Sequence, residues 1–511
     1  MTMSFRSPRI TPLWVMKCLT LGAFAVVAAL FSVSQVVFAL LVAIVSVFAV
    51  NELRGIVTQP DGLQFSRALA ISILLGYVVG AAVYLGYFRT TNATAHQYWQ
   101  QYGIYYSQQS LGLALAAVLG CCSLLYAVSA GERRKALVNC WAELSTPRAE
   151  RIVWLGLLLL VSALYAGEIG YMGPTTAELG RITALGALAM LVTPPMAPYT
   201  LALVLASSGR PFAKRCLLWA ALAFFVGVTF VLGRRYLLYV LVLSAMVLFA
   251  RGYRFSLRYI GMMAVAGILA AIVLYVGFKF FMALRLAVWQ LGPHAGLWES
   301  ASMALSMLGS KESQEIGTQL SENVGTRTFI LSYFAGLLSS GSGQLPALGK
   351  ELLYSVQMAV PSLLMPGKTA SLPASPEELM HPLYGLPVFD GPNSIVVSGY
   401  DDFGFLGAAL YPVALAILYA SVYALVCRMT RSQPKRLFVL FVLLFQLLYI
   451  EQSLTASFVV LRDLVIVLVL ISVIMRAPII HIAGHLPRVR RARFWPASAA
   501  GSHSLPARPP K

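Results

Sequence analysis

Apolar runs of about 20 residues recur along most of this chain, and that is the length needed to cross a bilayer core. Inside lipid every backbone N–H and C=O must find its partner within the protein, so only helices and closed barrels can span. The runs are continuous and lack the alternation of a barrel strand, which selects helices. Composition agrees: 59% of the residues are hydrophobic and 11% charged, more apolar surface than a soluble chain of 511 residues needs. The expected fold class is an all-α polytopic membrane protein.

Twelve spans are expected, at 13–31, 34–52, 68–88, 109–130, 152–170, 182–206, 216–232, 236–250, 260–282, 403–427, 437–455 and 457–476. The connections after even-numbered spans are basic: "GERRK" (131–135), "SGRPFAKR" (208–215), "RGYRFSLR" (251–258) and "RMTRSQPKR" (428–436). The tail "RVRRARF" (488–494) is basic as well. Positive-inside bias therefore puts both termini in the cytoplasm. A break at "GRRY" (233–236) separates the seventh and eighth spans; merging them would turn "RGYRFSLR" and the tail outward, against that bias.

The net charge of +19 would suggest nucleic acid in a soluble protein, but here it follows from topology, so no nucleic-acid partner is expected. Cys18, Cys121, Cys122, Cys140, Cys216 and Cys427 all fall in spans or on the cytoplasmic side, which implies no disulfide framework. The N-terminus, with Arg6, Arg9 and Lys17 beside a first span, reads as a retained span rather than a cleaved signal.

One segment is unlike the rest. Residues 283–402 form a large outer loop with ten acidic side chains against five Lys and Arg. The chain thus divides into a bundle of nine helices (1–282), this partly helical loop (283–402), three closing helices (403–476) and a basic tail (477–511). Within the loop, "GLWESASMALSMLG" (296–309) is helix-like, and "TFILSYFAGLL" (328–338) is apolar but too short to span. "ALGKELLYSVQMAV" (347–360) sets Leu348, Leu352, Val356 and Val360 four apart, the single apolar face of an interfacial helix.

Candidate chemistry lies on the outer side. Arg234, Arg235, Arg285 and Arg327 oppose the topology bias near span ends or short apolar sequence, and Lys368 joins them. An arginine fork grips phosphate at two points, and a pyrophosphate offers room for several such forks. Glu168, in "LYAGEIGYMG" (164–173), is a carboxylate at a helix C-terminus, where the dipole prefers cations. It reads as a base or as a partner for an arginine.

In "PNSIVVSGYDDFGFLG" (392–407), Asp401 and Asp402 are expected to open the tenth span, one as a cap and the other as a general base toward an acceptor hydroxyl. Asn393 and Tyr400 of the same stretch are candidate substrate contacts. His381, with His294 the only histidines of the loop, is a second candidate base. Deeper, Arg462 is expected to pair with Glu451 or Asp463. Pro194, Pro195 and Pro198 are expected to kink the sixth span. No Cys/His metal-ligand spacing and no phosphate-cradling Gly loop is present, so no metal or cofactor is expected.

Three stretches resemble Wzy-type O-antigen (oligosaccharide repeat-unit) polymerases. "LGRRYLLYVLVL" (232–243) is similar to a Gly-x-Arg turn before an apolar span. "VPSLLMPGK" (360–368) is similar to a Pro-Arg…Pro-x-Lys-Pro segment, with Ser362 and Thr369 departing from it. "SIVVSGYDDFGFLGAALYP" (394–412) resembles a segment ending in Phe-Gly-x-x-Gly at a late span. The resemblance implies a GT-C-like membrane glycosyltransferase of the bacterial inner membrane. It would join oligosaccharide units carried on undecaprenyl pyrophosphate at the periplasmic face, for O-antigen, capsule or exopolysaccharide. Membrane lipids, a flippase and a chain-length regulator are the implied partners. Two other readings stay open: an O-antigen ligase-like transferase of related architecture, and a polysaccharide or lipid transporter, which would ordinarily show internal repeats.

Overall fold

The computed structural model describes residues 12–31, 34–59, 63–87, 99–132, 144, 146–168, 183–207, 211–253, 279–308, 329–388 and 391–476, apart from positions within these ranges that include Arg285. Of Arg234 and Arg235 it describes the backbone only. The ninth expected span, Arg327, Cys140 and the tail lie outside the described residues.

The protein is all-helical. In chain order come α1 (Pro12–Phe31), α2 (Gln35–Thr58) and α3, whose three parts are Phe65–Ile73, a π-helical Leu74–Val79 and Gly80–Tyr87. Next are α4 (Gln108–Gly131), α5 (Pro147–Tyr165), α6 (Ala184–Ala206), α7 (Phe212–Leu232) and α8 (Arg234–Ala250). The loop region contributes α9 (Leu297–Leu308), α10 (Ile330–Ser340) and α11 (Lys350–Ala359). Then follow α12 (Ile395–Met429), α13 (Gln433–Leu448) and α14 (Leu454–Arg476).

Helices thus occupy the positions of every described expected span. Seven of them are long and apolar enough to cross a membrane: Gln35–Thr58, Phe65–Leu85, Gln108–Gly131, Ala184–Ala206, Phe212–Phe230, Ile395–Met429 and Leu454–Met475. α5 falls outside that set because Arg148, Glu150 and Arg151 charge its first turns, and α13 because it has 16 residues.

Three helices form the interior. α4 packs against α1, α3, α10 and α12. α6 packs against α5, α7, α8 and α13. In α13 every residue from Leu437 to Phe445 is buried, as a helix apolar all round requires. α6 is helical throughout Ala184–Ala206, with Pro194, Pro195 and Pro198 inside it and all buried. The short apolar segment at 328–338 proves to be α10, buried along Ile330–Leu338 against α3 and α4 rather than lying on a surface.

α12 departs most from the sequence reading. It starts at Ile395, where the Ser394 side chain accepts from the Val397 N–H, so Asp401 and Asp402 do not open it. The apolar Ile395–Val397 turn followed by Ser398 and Gly399 was expected to be loop, and the hydroxyl cap at Ser394 decides otherwise. Helical geometry then breaks at Phe403 (φ −138°, ψ 23°) and Gly404 (φ 61°, ψ −146°).

The break is a reversal. Residues eight apart in a straight helix lie about 12 Å apart along its axis. Yet a Cβ built on Gly399 would fall 2.2 Å from the Gly407 carbonyl oxygen, and one on Gly407 1.9 Å from that of Gly399. The backbones of 395–402 and 405–429 therefore touch, and the chain doubles back at Phe403–Gly404 with the two aspartates at its tip. Only glycine suits 399 and 407, and Gly404 adopts a backbone conformation that side chains rarely tolerate.

Gly399→Ala and Gly407→Ala are each expected to lower the unfolding midpoint of the purified protein in detergent. Gly404→Ala is expected to cost about 1–3 kcal/mol. Gly120→Ala, inside α4 with open space around it, is the control and does not lower the midpoint.

Candidate functional site

The reversal in α12 meets the start of α11, and that junction gathers the acidic side chains of the loop. The Ala347 N–H donates to the Asp401 carbonyl and the Leu348 N–H to the Asp402 carbonyl, both at 2.9 Å. Leu348 and Gly349 both take positive φ, 52° and 84°, which turns the chain into α11. The first N–H groups of a helix have no partner within it. Here the Asp402 carboxylate accepts from the Glu351 N–H and the Leu352 N–H, each at 2.9 Å. Tyr411 donates to it as well, at 2.7 Å. Asp402 is thus a cap, as expected of one aspartate, but it caps a helix 50 residues earlier rather than its own.

Asp401 is placed differently. One carboxylate oxygen accepts from the Tyr384 hydroxyl at 2.5 Å, and the other has no hydrogen-bond partner among the described residues. Glu351 completes the group. It is fully buried, its Oε1 meets the Ser398 hydroxyl at 2.5 Å, and its Oε2 has no partner among the described residues. Burial, then the Asp401 charge, push its carboxyl well above the ordinary range, with Ser398 opposing. No described Lys or Arg pairs with any of the three.

α11 presents its polar side to this cluster. Glu351, Tyr354 and Ser355 are buried, while Leu353 and Val356 are 59% and 44% exposed and Leu348, just before the helix, 76%. The expected apolar face exists and points outward, with Leu352 and Val360 half-buried at its margin. Such an arrangement would be inverted in water and is correct against lipid. Ser355 bonds Thr455 at 2.8 Å, which fastens α11 to the first turn of α14.

His381 is buried near this group. Its Nδ1 donates to the Pro387 carbonyl at 3.1 Å, and its Nε2 accepts from Tyr333 at 2.9 Å. Burial pushes its pKa down to about 4, against the Pro387 contact. Both nitrogens of the neutral ring are occupied, so His381 fixes the loop over α10. Asn393, buried, accepts from the Ser394 N–H at 2.8 Å, and the Ser394 hydroxyl bonds Tyr77 at 2.6 Å in the π-helical turn of α3. Tyr400 packs edge-on against Phe334 and Phe405.

Asp401, Asp402, His381, Asn393 and Tyr400 are thus brought into one region between α10, α11 and α12. Glu168 is elsewhere. It follows α5, its N–H donates to Ala163, and its Oε2 lies against Gly186 of α6 without a hydrogen bond among the described residues. Lys368 donates to the Met358 carbonyl at 2.8 Å and to that of Val360, at the far end of α11. Arg462 pairs with Asp463 at 2.7 Å, one of the two expected partners. Arg234 and Arg235 begin α8, and Arg285 and Arg327 are outside the described residues.

Sequence reasoning missed Glu351, Tyr384 and Tyr411. The signal for Glu351 was present: it is the one acidic residue within an otherwise amphipathic interfacial helix. The tyrosines carried no pattern, because they reach the aspartates only through the reversal. Comparison with family models, curated proteins and solved structures finds no match to this chain.

Asp402→Ala is expected to lose at least the about 0.5–2 kcal/mol of an N-cap. Limited proteolysis around α11 should then precede global unfolding. His381 gives a pH prediction. The folded state keeps it neutral where an unfolded chain binds a proton, so its contribution is complete above pH 6.5 and is lost as pH falls toward about 4. Melting curves across that window should show a smaller acid loss for His381→Gln than for the wild type.

Proposed function

We propose that this protein is a membrane glycosyltransferase of the polymerase kind, joining oligosaccharide units carried on undecaprenyl pyrophosphate at the outer face of a bacterial inner membrane. The observation that carries the reading is Asp401: a carboxylate with one oxygen held by Tyr384 and the other without a partner among the described residues, at the tip of a helical reversal. A base that must approach an acceptor hydroxyl needs this combination of fixed orientation and a vacant lone pair. The rings of Tyr384, Tyr400 and Tyr411 beside it supply flat surfaces suited to sugar ring faces, while the Tyr384 and Tyr411 hydroxyls stay on the two aspartates.

The reaction needs no nucleotide and no cofactor. The acceptor hydroxyl oxygen forms a bond to the anomeric carbon of the donor, the bond from that carbon to the pyrophosphate oxygen breaks, and the hydroxyl proton passes to Asp401. Undecaprenyl pyrophosphate leaves with the bonding electrons. Cations stabilise its developing charge, the role proposed for Arg234, Arg235, Arg285 and Arg327. The exposed apolar residues Leu348, Leu353 and Val356 suit contact with acyl or polyprenyl chains beside that centre.

The experiment is lipid-linked glycan profiling in cells that carry Asp401→Asn in place of the wild type. A lost general base lowers turnover by about 10²–10⁴-fold. Single repeat units should accumulate while long chains disappear, with unchanged protein in the membrane fraction. Wild-type chain length from Asp401→Asn would remove Asp401 from the mechanism. Free lipid-linked polymer would instead identify a ligase.

A further inference from the structure

The other end of α11 carries the reverse imbalance of charge. Lys368 is 5% exposed and has given two of its three N–H donors to the Met358 and Val360 carbonyls. Arg462 uses its Nε on Asp463, and its two terminal nitrogens have no hydrogen-bond partner among the described residues. The Ser355–Thr455 bond joins the two helices whose ends these groups flank. Met358 is one turn along α11 from that joint, and Arg462 is two turns along α14 from it, about 10 Å at the helical rise. They are close enough that the Arg462 charge adds to burial in lowering the Lys368 pKa, with Asp463 opposing.

Two cations therefore share one carboxylate. α14 is among the helices suited to cross a membrane, and Arg462 lies within it. A cation at such depth is costly unless paired, and here one is in excess. The vacant donors are a planar guanidinium edge and one ammonium N–H. That set matches the several oxygens of a phosphate group, which takes a fork on one side and a point charge on the other. Carbonyl ligands or a neutral sugar would leave the charge uncompensated.

We propose that Lys368 and Arg462 form a binding site for a phosphate group borne on a lipid, at the end of α11 opposite Asp401. Asp463 orients the guanidinium through Nε and leaves its outer edge for the ligand. The site stands on charge and geometry and does not depend on glycan transfer. If transfer is the function, the same site is suited to the carrier phosphate.

The test uses the full chain purified in a non-ionic detergent, with thermal stability read against three separate probes: a polyprenyl pyrophosphate, phosphatidylglycerol and inorganic pyrophosphate. At least one lipid probe should raise the wild-type midpoint saturably. Arg462→Gln should weaken the apparent affinity for it about tenfold or more. Arg462→Lys, which keeps the charge and loses the fork, should lose less. A response confined to the polyprenyl probe assigns the carrier, and one shared with phosphatidylglycerol assigns lipid phosphate in general. Lys368 is left intact because it also holds the end of α11. Should Arg462→Gln fail to fold, Arg462→Gln with Asp463→Asn removes both members of the pair and tests the same loss. The proposal is overturned if neither lipid probe shifts the wild type, if inorganic pyrophosphate alone does, or if the Arg462 variants respond as the wild type does.

Discussion

The carboxylate of Asp402 is the interaction on which the site depends. It satisfies the first N–H groups of α11 from a residue in α12, and the carbonyls of Asp401 and Asp402 bind the turn that precedes that helix. A loop of this length would otherwise owe its placement to scattered apolar contacts. Here a buried charge-assisted set of bonds decides where α11 begins, and the reversal at Gly404 decides where that carboxylate sits. Remove either and the polar face of α11 loses its register on Ser398 and Thr455. A second carboxylate works in the same manner on another helix: Glu132 accepts from the Phe65 and Ser66 N–H groups at the start of α3. Both helices thus begin on an acid supplied by a different element, which ties distant parts of the chain together at helix ends.

α11 is also where the solvent matters most. Its buried side carries Glu351, Tyr354 and Ser355, and its exposed side carries Leu353 and Val356. Polar groups in the interior are tolerable because they find partners in Asp402, Ser398, Thr455 and the Pro373 carbonyl, which Tyr354 reaches at 3.1 Å. An apolar exterior is tolerable if acyl chains cover it. The same inversion holds for α12 and α14, whose exposed residues include Phe405, Leu406, Leu410, Val465 and Val469. α11 is too short to cross, and its apolar exposed side suits the membrane boundary.

How much of this was legible follows from the range of each interaction. Helix positions were readable because twenty consecutive apolar residues signal themselves locally. α10 was recognised as apolar and too short to span, but not as interior, because its burial depends on α3 and α4 closing around it. The reversal in α12 could not be read: Gly404 and Gly407 look like packing glycines in one helix, and only the Gly399–Gly407 contact shows two. The expected span from 403 matches the second limb, 405–429; what was missed is the first limb, 395–402, and with it that Asp402 caps α11 rather than its own helix. The expectation that one of the two aspartates caps a helix holds for Asp402.

The two ends of α11 obey one rule. The positive end of its dipole rests on Asp402, and the negative end, with the last carbonyls, rests on Lys368. Each of these charges is used by the fold. Beside each stands another that the fold does not use in full: Asp401 keeps an oxygen without a partner among the described residues, and Arg462 keeps its terminal nitrogens. In the proposed transferase, the acceptor base at Asp401 and the proposed lipid-phosphate site would then lie at opposite ends of a ten-residue helix about 15 Å long.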